Sequence, residues 1–570
     1  MKTSLYNEKK FSDFREIINH SADKFANKPA FIIKSSDDRY SKINYAELKN
    51  RFYTLSQKLI DLKLKGKRIA VIGKNSFEWV LSYLCAAVVG VVVPLDKELC
   101  AEDVRDFMVS AECCAICGDG DYLKNLKPLI ADDIRCFDFT EVMRMSEPVI
   151  PFNLQTAEVD SIPITKDEMR VLIFTSGTTG NAKGVCLSQY NICSNIHSTV
   201  SAVKINPTDT TMSILPLHHT YECTLNCLLL LSRGSCITYC DGLRQIPKNF
   251  TEYHPSVLVV VPALLKALNK QIRKSVAAGS PDKYKPLFET QTLSQALSGV
   301  PVLIRKLICA KVRKSLGGKI RLFIVGAADL DTSLVEDFAA LGIRTLQGYG
   351  LTECAPLLAG NTDFYLNTAS TGRSMPGVML KIDQPNEDGI GEILAKGDNI
   401  MLGYYRDEKA TEKVFRDGWF CTGDLGCIDD EGALYIKGRR KNVIVTANGK
   451  NIYPEELETR IAQLPEISEV IVLADMQNGD ICVKAKIFPN LDFIKETLGR
   501  LPKAEEIQAA VQKVIRDVNA KIPSYKHIKV VEILTAALEK TTTQKIKRFG
   551  QNLAASITPP SVNAANANQQ

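Results

Sequence analysis

Residues 171–188, VLIFTSGTTGNAKGVCLS, concentrate groups that bind phosphate between two apolar runs. Three glycines are predicted to allow positive φ and a close approach of backbone N–H groups to a ligand: Gly177, Gly180 and Gly184. Hydroxyl donors and one cation stand among them: Thr175, Ser176, Thr178, Thr179 and Lys183. Lys183 precedes a glycine and a strand, unlike the Lys-Ser/Thr of a Walker loop that enters a helix, so the loop should close a hairpin. The pattern predicts a polyphosphate site, with a surface hairpin rich in turn residues as the alternative.

Three later segments carry groups that would complete a nucleotide site. TLQGYGLTECAP (345–356) sets Tyr349, whose ring can face a base, between two glycines, and adds the Glu353 carboxylate for Mg²⁺. DGWFCTGDLG (417–426) isolates Asp424 as an acceptor for two sugar hydroxyls. KTTTQKIKR (540–548) places Lys545 in a cationic, Thr-rich segment. Taken one at a time, each is also explained by a turn, a packed aromatic ring or a solvated charge run.

The elements that must position these segments alternate between short apolar strands and amphipathic helices. Strands are predicted at RIAVIG (68–73), VLIFTS, VLVVVPA (257–263) and IRLFIVG (320–326), and a helix at PALLKALNKQIRKSVAAG. Such alternation predicts α/β layers with largely parallel sheets. From about residue 388, short strands with Gly and Asp turns predict a small antiparallel β unit. The remaining residues mix helices with strands, which favours a separate α+β lid.

Composition limits the class of protein. At 570 residues the chain exceeds one ordinary domain. Its formal charge of +6 is too small to indicate nucleic acid binding. Seventeen cysteines without zinc-ligand spacing favour reduced thiols over a metal cluster. The N-terminus lacks the apolar core of a signal peptide. The uncharged run 79–95 is interpreted as a buried helix (79–89), a turn at Gly90 and a strand (91–94) rather than as a membrane span.

Five motifs occur in the order found in one enzyme superfamily: TSGTTGNAKG, GYGLTE, TGD, GRRKN and QKIKR. On these motifs the chain resembles the adenylate-forming acyl-CoA synthetases, whose superfamily includes luciferases and peptide-synthetase adenylation domains. The resemblance runs over residues 15–550. Within the superfamily the chain is most similar to the long-chain fatty acid branch, through LPLHHTYE (215–222) and the segments 312–331 and 348–361.

The resemblance implies an ATP-dependent ligase with Mg²⁺ as cofactor. A fatty acid carboxylate attacks the α-phosphate of ATP, giving acyl-adenylate and pyrophosphate, and coenzyme A then displaces AMP. Lys545 corresponds to the catalytic lysine that bridges the carboxylate and the α-phosphate, and Thr352 to the α-phosphate contact. His219 is similar to the gate residue beside the acyl pocket, although the neighbouring His218 leaves an ordinary exposed or hydrogen-bonded histidine as the alternative.

The remaining roles that the resemblance implies concern ATP, the metal and a hinge. Thr175 and Glu353 resemble the Mg²⁺-associated pair. The residues that resemble those around the β- and γ-phosphates are Ser176, Gly177, Thr178, Thr179, Gly180 and Lys183. The residues that resemble the family's adenine wall are Gly326, Ala327, Gln347, Gly348 and Tyr349. Asp424 resembles the ribose-binding carboxylate, with Arg439 beside it. Lys441 stands at the hinge position and Gly449 in the loop of the thioester step.

These correspondences predict three parts of the chain. Residues 1–438 would form an N-terminal adenylation domain, 439–552 a mobile C-terminal lid hinged near Lys441, and 553–570 a disordered tail. The terminal motif departs from the usual pattern, with Glu539 for proline and Gln544 for glycine, and GAADLD replaces GGAPL at the adenine wall. These changes remove no charge that the reaction needs, so an active ligase is expected.

Two other functions stay open: a ligase that loads a phosphopantetheinyl acyl carrier protein in place of CoA, and a binding protein without turnover. A cytoplasmic location is expected, and a fatty acid substrate is compatible with peripheral contact at the inner face of the membrane. The sequence assigns no role to the basic region 268–320.

Overall fold

The structure is a computed structural model that describes residues 5–35, 37–147, 156–175, 182–326, 328, 330–446, 450–477, 480–540, 546 and 548. Its strands, in chain order, are β1 Pro29–Lys34, β2 Tyr40–Asn44, β3 Arg68–Ile72, β4 Val91–Leu95, β5 Cys113–Gly118, β6 Arg135–Asp138, β7 Val171–Thr175, β8 Lys183–Leu187, β9 Thr210–Ser213, β10 Cys236–Tyr239, β11 Val257–Val260, β12 Leu322–Val325, β13 Arg344–Gly350, β14 Leu357–Gly360, β15 Arg373–Ser374, β16 Val378–Asp383, β17 Gly391–Gly397, β18 Gly403–Tyr404, β19 Phe415–Arg416, β20 Trp419–Ile428, β21 Leu434–Arg439, β22 Ile444–Val445, β23 Asn451–Ile452, β24 Ile467–Gln477, β25 Asp480–Pro489 and β26 Ile528–Ile533.

The α-helices are α1 Phe14–Phe25, α2 Tyr45–Asp61, α3 Phe77–Val89, α4 Ala101–Ser110, α5 Gly120–Leu126, α6 Phe139–Met145, α7 Thr156–Asp160, α8 Gln189–Ala202, α9 Thr220–Glu222, α10 Leu229–Ser232, α11 Ile246–Tyr253, α12 Pro262–Gly279, α13 Lys285–Thr290, α14 Leu293–Ser298, α15 Val302–Ser315, α16 Thr332–Ala340, α17 Glu408–Val414, α18 Pro454–Ala462, α19 Leu491–Leu498 and α20 Ala504–Asn519. A π-helix, Cys223–Leu228, joins α9 to α10, and short 3₁₀ helices include Thr352–Cys354 and Arg440–Asn442.

Two large sheets form the centre of the fold. One has nine strands in the order β15-β14-β13-β12-β11-β9-β10-β1-β2, and the other has seven in the order β18-β8-β7-β4-β3-β5-β6. The strands run parallel from β13 to β1 in the first sheet and from β7 to β6 in the second, and β11 and β12 are buried along their whole length. Strands covered by helices on both faces read as continuous apolar runs, which is why the sequence pattern was informative here. The predicted α/β layers are confirmed.

The uncharged run 79–95 folds as the sequence predicts. Ser76 caps α3 by accepting a hydrogen bond from the backbone N–H of Trp79, and the helix is buried on almost every side. The chain then turns at Gly90 into β4, which pairs with β3 inside the seven-stranded sheet. No described helix is long and apolar enough to cross a membrane.

The predicted antiparallel unit is also present. Strands β16, β17, β20, β19 and β21 form a five-stranded sheet in which every pair is antiparallel. Its hairpins end in glycine turns, for example at Gly432 with a φ of +82°. This sheet carries two of the predicted nucleotide-contacting residues.

The described residues divide into two compact units. The larger contains the described residues up to Thr459, apart from Thr446 and Lys450, and the smaller contains those two and the described residues from Arg460 onward. The smaller unit has a sheet of β24, β25 and β26, on which α20 buries Val511, Val514, Ile515 and Val518. A large α/β unit followed by a small α+β unit agrees with the predicted fold class. The domain limits at 438/439 and 552 stay predictions, and the predicted tail, 553–570, lies outside the described residues.

Candidate active site

Three residues predicted from separate motifs meet in one hydrogen-bonded group in the larger unit. Tyr349 lies near the end of β13, whereas Asp424 on β20 stands opposite Arg439 on β21 in the antiparallel register. The Tyr349 hydroxyl donates to Oδ2 of Asp424 at 2.6 Å, and Nε of Arg439 donates to Oδ1 at 2.6 Å. Asp424 is only 4% exposed. These two bonds fix the plane of a buried carboxylate beside an aromatic ring.

A second group joins the hairpin lysine to the predicted metal-associated carboxylate. Nζ of Lys183 lies 4.5 Å from the ring centre of Tyr404, a cation–π distance. The Tyr404 hydroxyl donates to Oε1 of Glu353 at 3.0 Å. Tyr404 reaches this position because β18 adds to the edge of the seven-stranded sheet beside β8. Sequence reasoning missed Tyr404, whose only signal was the tyrosine pair in MLGYYRD.

The two groups influence one another electrostatically. Burial, and then the Glu353 carboxylate, raise the pKa of Tyr404, while the charge of Arg439 acts in the opposite direction. Burial, and then Asp424, raise the pKa of Tyr349 as well. Both phenols therefore stay protonated at neutral pH and act as hydrogen-bond donors to carboxylates.

Four of the five predicted adenine-wall residues are described, and they lie toward the carboxyl ends of β12 and β13, which are adjacent parallel strands: Gly326, Gln347, Gly348 and Tyr349. Open α/β sheets bind ligands at such strand ends. Gly326 follows β12 directly, and a Cβ atom there would lie 3.1 Å from the ring of Tyr221. The hydroxyl of Tyr221 shares its one proton between the carbonyl oxygens of Val260 and Ile324, each 3.1 Å away, so its ring is fixed across the strand ends. Sequence reasoning quoted Tyr221 within a motif but gave it no role.

The structure gives some of the motif glycines a packing reason. A Cβ atom at Gly350 would lie 1.8 Å from the carbonyl oxygen of Pro356, and one at Gly348 would lie 2.7 Å from Leu357. Both glycines therefore allow the chain after β13 to fold back against it as β14. Gly184 was expected to supply positive φ to the phosphate loop, but it lies inside β8 and packs against Leu172. That expectation was wrong, because the hairpin strand already begins at Lys183.

The hairpin itself is confirmed. β7 and β8 are antiparallel, with Thr175 opposite Lys183, and the Thr175 hydroxyl donates to the Lys183 carbonyl at 3.4 Å. The tip that joins the strands is not described. Predicted site residues outside the described part of the chain are Ser176, Gly177, Thr178, Thr179, Gly180, Ala327, Gly449 and Lys545. Of the others, Gln347 is buried on β13, Thr352 begins the 3₁₀ helix that carries Glu353, and Lys441 lies exposed in the 3₁₀ helix Arg440–Asn442.

His219 precedes α9 as its N-cap residue, with its ring centre 4.0 Å from that of His218. Burial, and then the charge of Lys97, lower the pKa of His218 to about 3, so this ring is neutral at neutral pH. Nε2 of His218 lies 3.6 Å from Oδ2 of Asp96, and both histidines are partly buried. The π-helix Cys223–Leu228 begins four residues after His219. Segments of π-helix occur frequently at functional sites.

A buried acid beside this π-helix was not predicted. Glu222 is fully buried, and its Oε1 accepts hydrogen bonds from Ser213 Oγ and Asn226 Nδ2, each at 2.6 Å. Its Oε2 has no partner among the described residues. Burial raises the pKa of Glu222 to about 8. A protonated acid therefore links β9 to the first turn of the π-helix, and Asn75 extends the network by donating to Ser213 at 2.9 Å.

Two of the predicted residues carry oxygen donors that suit a hard cation. Thr175 contributes a hydroxyl and Glu353 a carboxylate, and Mg²⁺ commonly uses one or two protein carboxylates together with phosphate and water oxygens. The described residues contain no cluster of three or more His, Cys, Asp or Glu that would hold a metal without a nucleotide. Thr175 and Glu353 together would leave most of the coordination shell of Mg²⁺ to phosphate and water oxygens.

Comparison with known families decides the classification. Residues 18–405 match the family described as AMP-binding enzyme, and residues 441–551 match the AMP-binding enzyme C-terminal domain. The chain belongs to the AMP-binding enzyme family. Long-chain-fatty-acid–CoA ligase FadD15 of Mycobacterium bovis is 27% identical to it over 552 residues, covering 90% of each chain. Long-chain-fatty-acid–CoA ligase 1 of Cavia porcellus is 28% identical over 489 residues, covering 78% of this AMP-binding enzyme and 69% of the relative.

Solved structures agree on the fold of this AMP-binding enzyme. The Mycobacterium tuberculosis fatty acyl CoA synthetase superposes with a TM-score of 0.64 at 22% identity and covers 94% of this chain and 97% of its own. Identity at this level indicates a shared fold and no more. The family, the arrangement of mixed α/β layers and the similarity to CoA ligases are therefore established.

Proposed function

We propose that this AMP-binding enzyme is a Mg²⁺- and ATP-dependent ligase that joins a long-chain fatty acid to coenzyme A through an acyl-adenylate. The observation that carries the proposal is the convergence of Tyr349, Asp424 and Arg439 with the Lys183–Tyr404–Glu353 group. Residues from distant motifs, predicted as base, sugar and phosphate contacts, form two electrostatically linked groups in one unit.

The reaction has two balanced steps. First, an oxygen of the fatty acid carboxylate bonds to the α-phosphorus, the bond from that phosphorus to the bridging oxygen breaks, and pyrophosphate leaves. Second, the sulfur of CoA bonds to the acyl carbon, the bond from that carbon to the phosphate oxygen breaks, AMP leaves and the thiol proton passes to solvent. Both anionic groups of the first step repel one another, so fixed positive charges and oriented donors must offset the repulsion.

The described residues supply binding and orientation. Asp424, held by Tyr349 and Arg439, would accept hydrogen bonds from the ribose hydroxyls, and the Tyr349 ring would face the adenine. Lys183, fixed over Tyr404, would place its charge toward the β- and γ-phosphates. Thr175 and Glu353 would hold Mg²⁺, which screens phosphate charge when it is bound. Thr352, on the same 3₁₀ helix as Glu353, would contact the α-phosphate.

Three further assignments rest on the resemblance. Lys545 would supply the ammonium group that bridges the carboxylate and the α-phosphate, Lys441 would act as the hinge of a mobile C-terminal lid, and Gly449 would pass close to the pantetheine arm. Two arrangements of one lid would allow two reactions at one centre. His219 would act as the gate of the acyl pocket.

The test is a substrate panel with the purified full-length chain. Exchange of labelled pyrophosphate into ATP is measured with acids from acetate to oleate, and thioester formation is then measured with CoA and with a phosphopantetheinyl carrier protein. We expect pyrophosphate exchange that depends on Mg²⁺ and increases from acetate toward oleate. We also expect an acyl-CoA product when CoA is added. Exchange without transfer to CoA but with transfer to the carrier protein would assign the alternative acceptor.

Lys545→Ala separates an enzyme from a binding protein. Loss of one preorganised charge in an adenylation site should lower the exchange rate on the order of a hundredfold to a thousandfold. ATP binding should persist, because Asp424 and Tyr349 do not change. A wild-type protein that binds ATP and oleate without any exchange would refute the ligase and leave the non-catalytic function.

A further inference from the structure

The helix α15 has an outward face that the proposed reaction does not use. Its inner face packs in the core through Val312, with Ile304 and Ile308 against the same cluster. On the other side Leu303 and Leu307 are 76% and 71% exposed. Leu303 is the most exposed large apolar side chain among the described residues. The helix therefore carries one apolar row toward the core and a second toward solvent.

The helical spacing places basic residues around the outer leucines. Successive residues of an α-helix are rotated by roughly 100°, so positions separated by four and eleven residues share a face. Leu303, Leu307 and Lys314 consequently lie along one outward line, and Lys306 and Lys311 flank that line on opposite sides. All five side chains are exposed. We call these five residues the α15 face.

The surroundings of the α15 face are strongly basic. Residues 262–320 contain twelve Lys and Arg against two Asp and Glu, a net charge of +10, whereas the whole chain carries +6. The remaining 511 residues are therefore net negative, at −4. α15 itself contains no acidic residue, and Lys306, Lys311 and Lys314 form no ion pair with any other residue that the structure describes. The three lysines of the α15 face thus add unpaired positive charge to a segment that is already net positive.

We propose that the α15 face is a docking surface for a bilayer that contains anionic phospholipid. Helices that lie in the membrane interface combine an apolar row, which enters the boundary between head groups and acyl chains, with Lys and Arg that contact the head groups. The long methylene stems of lysine let the ammonium groups reach the phosphates while the leucines are buried. The proposal does not depend on the ligase reaction, because neither ATP nor a fatty acid takes part.

Other partners fit this face less well. The centres of protein interfaces are depleted of lysine and enriched in aromatic residues, and α15 has no aromatic residue. A second copy that used the same face would bring like charges together. Single-stranded nucleic acid sites combine cations with aromatic stacking platforms, and exposed leucines provide no equivalent.

The experiment measures partition of the full-length chain, without nucleotide, onto vesicles of phosphatidylcholine alone and of phosphatidylcholine mixed with phosphatidylglycerol. Two variants test the face: Leu303→Ser with Leu307→Ser, and Lys306→Gln with Lys311→Gln and Lys314→Gln. Control variants remove exposed apolar or basic side chains elsewhere. Val109→Ser removes an apolar side chain that is 66% exposed on α4, and Lys409→Gln, Lys413→Gln and Lys495→Gln remove three exposed lysines.

We expect the wild-type chain to bind the mixed vesicles and to bind the neutral ones much more weakly. Each lysine near an anionic surface contributes about fivefold, so the triple lysine variant should bind on the order of a hundredfold more weakly. The leucine pair should lower binding by roughly tenfold or more, and the controls should change little.

Four results would overturn the proposal. The first is that the wild type does not bind vesicles, and the second is that the control variants lose as much vesicle binding as the α15 variants. The third is that the same lysines bind single-stranded RNA while the chain does not bind vesicles. The fourth is that the leucine variant dissociates a dimer but binds vesicles as well as the wild type does. Circular dichroism and thermal unfolding check that each variant is folded. Failure of the ligase assay alone would leave the vesicle result standing, so the two proposals can fail separately.

Discussion

Asp424→Asn tests the proposed sugar contact with almost no change of shape. In the wild type, Oδ1 pairs with Arg439 and Oδ2 accepts from the Tyr349 hydroxyl. Arg439 can only donate, so the amide oxygen of the variant must face it and the amide NH₂ must face Tyr349. A phenol hydroxyl can reverse and accept, which allows the network to keep its geometry. The substitution therefore removes a negative charge while the ring of Tyr349 stays in place.

The expected effect follows from the loss of charged hydrogen bonds. A hydrogen bond to a charged group contributes about 1.5–3 kcal/mol and a neutral one about 0.5–1.5 kcal/mol, so each ribose hydroxyl would lose roughly 1–2 kcal/mol. Two hydroxyls would then lose roughly 2–4 kcal/mol, or about thirtyfold to nine-hundredfold in affinity for ATP. The affinity for the fatty acid should not change, because the role proposed for Asp424 is confined to the ribose.

The assay is pyrophosphate exchange with oleate, with KM measured separately for ATP and for the acid, together with calorimetric binding of ATP in the absence of acid. Asp430→Asn is the matched control, since it makes the same chemical change at an exposed position on the same β20–β21 hairpin. Thermal unfolding without ligand shows whether the variant is folded. An unchanged KM and affinity for ATP in a folded Asp424→Asn protein would refute the sugar-binding role, as would an equal effect of Asp430→Asn.

Three further predictions concern neighbouring residues. Tyr404→Phe removes the hydrogen bond to Glu353 and should lower kcat/KM for ATP by about tenfold, or roughly 1.5 kcal/mol. Tyr405→Phe is the control and should leave kcat/KM unchanged, because the buried hydroxyl of Tyr405 has no partner among the described residues. Glu222→Gln should remove a pH dependence of stability. The pKa of this buried acid is raised to about 8 in the folded state, so the folded protein holds the proton more tightly and loses stability as the pH rises from the unfolded pKa through about 8. Between pH 6 and 8 the free energy of unfolding, measured with urea, should therefore fall by about 2 kcal/mol more in the wild type than in Glu222→Gln. Curves of unfolding free energy against pH that run parallel for the two proteins would contradict the assignment. Gly326→Ala adds a methyl group 3.1 Å from a tyrosine ring and should raise KM for ATP several-fold in steady-state kinetics, while an unchanged KM would mean that this strand end does not contact the nucleotide.

Much of the scaffold follows from local patterns. Buried parallel strands such as β11 and β12 are nearly all Val, Leu, Ile or Phe, and the limits predicted for α12 coincide with Pro262–Gly279. Asp424, Tyr349 and Glu353 were identified as candidates because an acidic or aromatic residue among glycines is a local signal. The structure brings these candidates into two linked groups, although their individual roles remain predictions.

The remaining features depend on contacts between distant segments. Tyr404 becomes part of the site only because β18 pairs with β8, which the short sequence GY does not reveal. The raised pKa of Glu222 requires burial against β9, and nothing in LPLHHTYE distinguishes a buried acid from an exposed one. Gly184 was assigned to the loop because composition does not show where a hairpin loop ends and its strand begins.

The two residue groups draw on three separate sheets: Tyr349 belongs to the nine-stranded sheet, Asp424 and Arg439 to the five-stranded sheet, and Lys183 and Tyr404 to the seven-stranded sheet. The turn at Gly432 separates Asp424 from Arg439 along the chain. A polypeptide divided at that turn would carry half of the carboxylate–guanidinium pair on each fragment. Recovery of nucleotide binding on mixing would then report fragment complementation, which makes this hairpin a natural point at which to engineer a split enzyme.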